Sequence, residues 1–293
     1  MARSVKAGLR GLKAGVLCLV LLATSGCAWF DSRQRELIYR PTPAQSSSAA
    51  NLLPGDRRYQ VNLPDHNGAE HLAFWWLPNT QPNAPTLLYL HGTFRNLYGN
   101  QRKIESLRSA GFSVLAVDYR GWGESSARIP SEQSILQDAN VAWQELTKHQ
   151  PDPTRRVIYG HSMGSGVAVD LASRLNSPGD YGGLVLESAF TSFDDVAREA
   201  GWLARVLAWF TRERFDSAAK IGRVQAPLLM LHGKLDDTIP MVLGERLYAA
   251  ANAPKRWIMI EGAAHSDLDL VAPDLYQRSL RDFAAAQLAP PTR

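Results

Sequence analysis

The stretch "YGHSMGSG", residues 159–166, follows a short β-type run and places glycine, serine and glycine at positions 160, 162 and 164. Small flanking residues allow a strand to turn sharply into a helix, which exposes the serine oxygen at the strand end. The turn also puts the Met163 amide at a helix N-terminus, where it can donate to a developing oxyanion. The pattern predicts Ser162 as a nucleophile, and the alternative is a glycine-rich turn that contains a serine. Ser165 is a poorer candidate, because Met163 stands where its preceding glycine would be.

A carboxylate and a histidine follow in an order that supports this prediction. Asp236 lies in the loop after the apolar run 228–231, where it can hold an imidazole in one tautomer. His265 lies in a small-residue loop after the last β-type run, and we expect it to accept and return the serine proton. Asp237 competes with Asp236, but its place ahead of Pro240 is typical of a turn or helix cap. The order serine, aspartate, histidine is that of an α/β-hydrolase.

A second oxyanion donor is expected in the loop that follows the run 86–90. The residues there are His91, Gly92 and Thr93, and we assign the donor to the backbone N–H of Thr93. His91 is an alternative base, but it precedes the serine in the chain and adjoins a glycine turn. We therefore expect His91 to bond loop backbone.

β-type and helical patterns alternate along the rest of the chain. Continuous apolar runs separated by helices predict an α/β fold with a mostly parallel central sheet and helices on both faces. Ser131 is a plausible N-cap of one of these helices. The β-type runs cover 72–77, 86–90, 113–117, 156–159, 183–186, 228–231 and 256–260, and the helical patterns cover 103–110, 132–148 and 162 to about 175.

The chain resembles the α/β-hydrolases, in particular bacterial enzymes related to the eukaryotic abhydrolase-domain proteins that include protein depalmitoylases. The resemblance covers roughly 72–285, within a domain expected over 59–293, and rests on "LYLHGTFRN", "DYRGWGES", "YGHSMGSG", "LESAFTS" and "FDSAAKIGRVQAPLLMLHGKLDDTIP", ending in "EGAAHSDL". Departures occur at Thr93-Phe94, where many relatives have Asn-Ala, and at Ala264, which replaces a common glycine. The resemblance implies hydrolysis of an ester or thioester through an acyl-enzyme, without metal or organic cofactor, on a small-molecule or lipid-like acyl substrate. Two rivals remain, a serine peptidase or amidase and a non-catalytic envelope binding protein.

The stretch 188–226 is longer than a simple crossover between two strands. Trp202, Val206, Trp209 and Phe210 fall at helical spacing on one face. Two interpretations stay open: a short helical cap that presents an apolar wall to an acyl chain, or a helix that packs its aromatic residues into the core.

The N-terminus has the pattern of an export signal. Four basic residues precede an apolar run at 14–23 that is too short to span a bilayer comfortably. Small residues before Cys27 resemble a bacterial lipoprotein signal, although Thr24 stands where leucine is usual. We expect a signal peptide over 1–26, a lipid on Cys27 and a Pro- and Ser-rich linker arm over 27–58. The alternative is an ordinary cleavable signal and a secreted protein.

The net charge and the cysteine content of the chain indicate which binding partners and which cellular compartment are expected. The net charge of +4 is accounted for by the four basic residues of the signal segment, so no basic stripe indicates nucleic acid. The two cysteines, Cys18 and Cys27, lie within that segment and directly after it, which predicts a domain without disulfides. The resemblance to lipoproteins implies a membrane-anchored envelope protein, and Ala28 after the cysteine is typical of outer-membrane sorting in a Gram-negative host.

Overall fold

In the computed structural model, eight strands form one sheet in the order β1-β2-β4-β3-β5-β6-β7-β8. The pairs β1–β2 and β2–β4 are antiparallel, and every other neighbouring pair is parallel. The structure describes residues 29–45, 50–63, 70–81, 83–202 and 211–288. The strands are β1 (Arg57–Asn62), β2 (His71–Leu77), β3 (Thr86–Leu90), β4 (Ser113–Asp118), β5 (Arg156–His161), β6 (Gly183–Glu187), β7 (Leu228–Gly233) and β8 (Lys255–Ile260).

Helices follow most strands of the sheet. Residues 1–40 and 41–293 form two compact units, and the described part of the first unit contains a helix, α1, over 29–39. The helices of the second unit are α2 (Leu97–Ser109), α3 (Glu132–His149), α4 (Met163–Ala172), α5 (Phe193–Glu199), α6 (Ala218–Ile221), α7 (Met241–Ala250), α8 (Leu268–Val271) and α9 (Pro273–Leu288). Within the described ranges, no helix combines the length and apolar composition that spanning a bilayer requires.

The α/β-hydrolase fold predicted from the sequence is confirmed. All seven β-type runs are strands, and the strands β3, β4, β6 and β7 are buried along their whole length. Burial on both faces explains why these strands read as continuous apolar runs. The edge strand β1 was missed, because its sequence RRYQVN is exposed or half-buried throughout and carries little apolar signal.

Helix ends depend on capping more than on apolar periodicity. Ser131 caps α3 as predicted: its hydroxyl accepts the Ser134 amide at 3.1 Å, and the Ser134 hydroxyl accepts the Ser131 amide at 2.9 Å. Helix α2 begins six residues before the predicted position, at Leu97, because Asn96 caps the Gly99 amide at 3.1 Å. The first turn of α2 is polar and contains a glycine, so periodicity gave no signal there.

The expected linker arm over 27–58 needs correction. Residues 29–39 are helical, and chain from Pro41 onward already belongs to the second unit rather than beginning at 59. The Ala44 amide donates to the Gly123 carbonyl at 2.8 Å, and the Gly123 amide donates to the Thr42 carbonyl at 2.9 Å. Backbone pairing of this kind needs no apolar side chains, which is why composition alone suggested a tether. The signal segment with Cys27, and Ser46–Ala49 of the arm, lie outside the described residues.

Candidate active site

Ser162 occupies a sharp turn between strand β5 and helix α4. Its backbone has φ 55° and ψ −126°, a strained conformation for a residue with a side chain. The turn is held by the Ser162 amide, which donates to the Glu187 carbonyl at 3.0 Å, and by the Ser162 carbonyl, which accepts the Ser165 amide at 2.8 Å. The hydroxyl therefore stands at the C-terminal end of β5, where the ends of the parallel strands meet and where ligands bind in open α/β sheets.

Both flanking glycines are required by close backbone approach. A Cβ on Gly160 would lie 2.2 Å from the Gly164 carbonyl oxygen, and one on Gly164 would lie 2.0 Å from the Leu90 carbonyl oxygen. These distances are far below any tolerable contact, so a side chain at either position would displace the turn. Ser165 is fully buried in α4 without a hydrogen-bond partner for its hydroxyl among the described residues.

The structure brings Ser162, His265 and Asp236 into one hydrogen-bonded chain. His265 Nε2 lies 2.8 Å from Ser162 Oγ. The other ring nitrogen, Nδ1, lies 2.9 Å and 3.0 Å from the two carboxylate oxygens of Asp236. The three residues follow the C-terminal ends of β5, β7 and β8. They are therefore separated in sequence but adjacent where these strand ends meet. The arrangement can remove a proton from the serine and stabilise the imidazolium that forms.

Asp236, rather than Asp237, lies beside the imidazole. Asp236 is 6% exposed, and its Oδ1 accepts the amides of Thr238 at 3.1 Å and Ile239 at 2.8 Å, whereas Asp237 is exposed. Burial by itself raises the pKa of Asp236, but bonding to His265 and to the Ile239 amide outweighs it and holds the pKa below its usual value. The carboxylate is therefore ionised at neutral pH, as an orienting acid must be.

Two backbone amides lie near Ser162, that of Met163 next in the chain and that of Thr93 in the loop after β3. Met163 is the first residue of α4, so its N–H has no acceptor within the helix and lies at the positive end of the helix dipole. The loop after β3 approaches closely, since a Cβ on Gly92 would lie 2.9 Å from Ser162 Cβ and 3.4 Å from its Oγ. The next amide in that loop belongs to Thr93, the residue predicted from the sequence.

His91 has the structural environment expected for it. The side chain is fully buried, and Nδ1 lies 2.6 Å from the Gly92 carbonyl oxygen. Burial lowers the pKa of His91 to about 4, so the ring is neutral at neutral pH. The ring packs against Tyr119, with centroids 4.6 Å apart, and so supports the loop that carries Thr93.

The predicted cap is partly described. Helices α5 and α6 lie within 188–226, and Phe193 packs against Phe190 and Phe215 with ring centroids 5.3 Å and 4.8 Å away. Trp202 is 77% exposed, which is unlike a core residue. Val206, Trp209 and Phe210, the rest of the predicted aromatic face, lie outside the described residues.

Sequence patterns missed two polar residues beside this site, His161 and Ser188. His161 Nε2 and Ser188 Oγ both lie within hydrogen-bond distance of the His265 carbonyl oxygen, at 3.0 Å and 3.2 Å. The sequence signal that could have found them is their position, since His161 ends β5 directly before Ser162 and Ser188 directly follows the neighbouring strand β6. In the described part of the chain, no group of three or more His, Cys, Asp or Glu side chains is arranged to hold a metal ion.

Comparisons with known proteins agree with this geometry. Residues 81–219 match the family described as serine aminopeptidase, S33. Lysophosphatidylserine lipase ABHD12 of Danio rerio is 34% identical over 200 residues, which cover 62% of this chain and 51% of the lipase. Alpha/beta hydrolase domain-containing protein 17B of Xenopus tropicalis is 31% identical over 210 residues, which cover 71% of this chain and 69% of that protein.

Solved structures share the fold at low sequence identity. An esterase of Pyrococcus furiosus superposes with a TM-score of 0.67 at 19% identity, covering 85% of this chain and 97% of the esterase. The superposition shows the fold. The match to the Xenopus tropicalis protein covers 69% of that protein, and the hydrogen-bonded serine, histidine and aspartate agree with hydrolase chemistry. The chain belongs to the α/β-hydrolase superfamily and is a serine hydrolase of that class.

Proposed function

We propose that this protein hydrolyses carboxylic esters or thioesters through an acyl-enzyme on Ser162. The observation that carries the proposal is the hydrogen-bonded chain in which His265 Nε2 lies 2.8 Å from Ser162 Oγ while Nδ1 bonds Asp236. A nucleophile, a base and an orienting acid are thereby present at the distances that acyl transfer requires.

In the proposed acylation, Ser162 Oγ attacks the carbonyl carbon as His265 Nε2 accepts the serine proton. Asp236 holds the other ring proton on Nδ1, and the amides of Met163 and Thr93 stabilise the oxyanion. Collapse of the tetrahedral intermediate breaks the bond to the alcohol or thiol, which takes the proton from His265. Water then attacks the acyl-enzyme by the same route, which releases the carboxylic acid and returns the proton to Ser162.

Exposed apolar side chains in segments that supply the site support the proposal that the substrate carries an apolar acyl group. Phe94 follows Thr93, Leu235 precedes Asp236, and Leu270 lies in the short helix after the His265 loop; they are 48%, 62% and 59% exposed. Three chain segments that supply the site thus each carry one exposed large apolar side chain, and we assign these side chains to contact with an apolar acyl group. The relative named a lysophosphatidylserine lipase acts, by its name, on a lipid.

A peptidase or amidase is the second candidate, because the matching family is described as a serine aminopeptidase. The same three residues serve either reaction, and the leaving group differs. Turnover of p-nitrophenyl acyl esters and acyl thioesters of increasing chain length, measured beside aminoacyl p-nitroanilides, separates the two. Faster turnover of the anilides would reject the esterase proposal.

The essential test of chemistry is Ser162→Ala beside Ser165→Ala. We expect Ser162→Ala to lose fluorophosphonate labelling and ~10⁴-fold or more in kcat, as when a nucleophile is removed from a triad. The control Ser165→Ala removes a buried hydroxyl without a partner in the described residues, three positions along the same helix, and should keep both. Wild-type protein that neither labels nor hydrolyses would favour a non-catalytic binding protein.

We also propose that the domain is held at a membrane of the cell envelope by a lipid on Cys27. The support is the sequence pattern of a basic segment, a short apolar run and small residues before the cysteine. Two or more acyl chains would bind durably, since each buried methylene contributes ~0.8 kcal/mol. Fractionation of wild type beside Cys27→Ala, with mass spectrometry of the mature N-terminus, tests this. A soluble wild type with an unmodified or absent Cys27 would indicate a secreted enzyme.

A further inference from the structure

A buried ionic cluster lies beneath the His265 loop and takes no part in the proposed chemistry. Lys103 of α2 is 4% exposed, and its Nζ lies 2.7 Å from Glu187 Oε1 and 2.7 Å from Asp269 Oδ1. The other Glu187 oxygen accepts hydrogen bonds from the hydroxyls of Tyr159 and Tyr276, the latter at 2.8 Å. Burial raises the pKa of Glu187 by itself, but Lys103 outweighs it and lowers that pKa to about 2. The Glu187 carboxylate is thus a fixed charge at the end of β6.

The cluster reaches the His265 loop through two residues at adjacent strand ends. His161, the last residue of β5, points Nε2 at the His265 carbonyl oxygen at 3.0 Å and lies 3.9 Å from Glu187 Oε1. Burial lowers the pKa of His161 to about 4, so the ring is neutral at neutral pH. A neutral imidazole carries one N–H, and facing a carbonyl at Nε2 that proton must be on Nε2.

Ser188 is the second residue and follows Glu187 directly. It is fully buried, and its backbone has φ 50°, a left-handed conformation that costs free energy for a serine. The backbone is held by its amide, which donates to the Leu231 carbonyl at 3.0 Å. The hydroxyl donates to the His265 carbonyl oxygen at 3.2 Å. The strained turn therefore directs the hydroxyl at the backbone of His265.

These contacts hold the His265 residue at the end opposite to its ring. The ring is bonded by Ser162 and Asp236, and the carbonyl by His161 and Ser188. His161 precedes Ser162 in the chain, so the donor to the carbonyl and the nucleophile move together. An imidazole bonded only through its ring could tilt about its backbone, whereas one held at both ends keeps Nε2 at the serine.

The adjoining backbone is bonded as well. The Arg102 guanidinium donates to the Ser266 carbonyl at 3.0 Å and pairs with Asp269. Within this cluster the two cations Lys103 and Arg102 balance the two carboxylates Glu187 and Asp269. Consecutive carbonyls of the loop, at 265 and 266, are thus both bonded by polar side chains from outside the loop, which lie at the ends of β5 and β6 and on α2.

We propose that His161 and Ser188 are positioning residues, which hold the His265 carbonyl oxygen and so keep the imidazole aligned with Ser162. This inference rests on the proposed ester hydrolysis, because it assigns a task to residues beside that site. Displacement of a catalytic group by about 1 Å costs on the order of 100-fold in rate. A residue that acts by alignment lowers kcat and leaves substrate binding, and hence KM, close to unchanged.

The test compares variants that keep or remove the donor. His161→Gln keeps an N–H that can reach the carbonyl, His161→Phe removes it, and Ser188→Gly removes the hydroxyl while suiting the positive φ. We expect His161→Phe and Ser188→Gly each to lower kcat for a p-nitrophenyl ester ~10- to 100-fold, with KM changed less than ~2-fold. His161→Gln should recover most of kcat. The double variant His161→Phe/Ser188→Gly should lose less than the product of the single losses, since both act on one carbonyl.

A matched control removes a comparable bond elsewhere. Tyr181 is buried and its hydroxyl donates to the Ala172 carbonyl at 3.2 Å, so Tyr181→Phe should lower stability without changing kcat. If His161→Phe does not fold, Ser188→Gly decides alone. Unchanged kcat in folded His161→Phe or in Ser188→Gly would refute the positioning role. Absence of ester turnover and fluorophosphonate labelling in wild type would instead refute the proposed function, so the two failures are distinguishable.

Discussion

Replacement of Asp236 by asparagine tests the proposed mechanism most directly, because the structure fixes how the new side chain must sit. The amides of Thr238 and Ile239 both donate to Oδ1 of Asp236. An asparagine keeps its single oxygen at this position, since only an oxygen can accept from both amides. Its NH₂ group then occupies the Oδ2 position, 2.9 Å from His265 Nδ1.

An NH₂ group at that position reverses the bond to the imidazole. His265 Nδ1 accepts from this NH₂ group in the tautomer that carries its proton on Nε2, pointing at Ser162 Oγ 2.8 Å away, and this tautomer competes with one in which Nδ1 still donates to the retained oxygen at 3.0 Å. A protonated Nε2 cannot take the serine proton. The expected loss is up to ~10⁴-fold in kcat, the cost of the wrong tautomer in a serine triad. This corresponds to about 5 kcal/mol of transition-state stabilisation.

The assay is steady-state hydrolysis of a p-nitrophenyl acyl ester by Asp236→Asn and Asp237→Asn. Asp237 is exposed, so its substitution should change kcat less than ~2-fold, as is usual for surface positions. Thermal unfolding of both variants shows whether the protein is folded. Folded Asp236→Asn with kcat within tenfold of wild type, or a larger loss in Asp237→Asn, would refute the assignment of the acid.

Three further predictions follow from other parts of the structure. Gly92→Ala should abolish ester turnover in a folded protein, because its Cβ would lie 2.9 Å from Ser162 Cβ, whereas Gly222→Ala, with no atom within 4 Å, should remain active in the same assay. The fold should lose stability as pH falls from 6.5 towards 4, because unfolded His91 binds a proton in that range that the folded state, with its pKa lowered to about 4, does not. This single group contributes about 3 kcal/mol at most, so urea unfolding midpoints should fall with pH in wild type and fall less in His91→Gln. Trp202→Ala should alter the acyl-chain-length profile and change the free energy of unfolding by less than ~0.5 kcal/mol, since the side chain is 77% exposed; a large drop in stability with an unchanged profile would favour a core helix.

Local pattern was sufficient for the elements whose environment is uniform. The strands β3, β4, β6 and β7 are buried on both faces, so their sequences are apolar throughout and were predicted correctly. The edge strand β1 and the polar start of α2 are stabilised by backbone pairing and by an Asn96 cap, and neither leaves an apolar pattern. The arm was predicted as a linker or a loosely packed segment, and its bonds to Gly123 are likewise made by backbone and leave no apolar pattern.

The sequence by itself predicted the candidate reactive residues, since each stands in a local context that its proposed chemistry requires. Ser162 needs flanking glycines, and Asp236 and His265 need short loops after strands, which are properties of a few neighbouring residues. Only the tertiary structure decided how they are held. His161, Ser188 and the Lys103–Glu187–Asp269 cluster come from separate elements, and what they share is proximity to one loop. Contacts between residues 70 or more positions apart arise when the sheet order is established, and one-dimensional spacing contains no record of them.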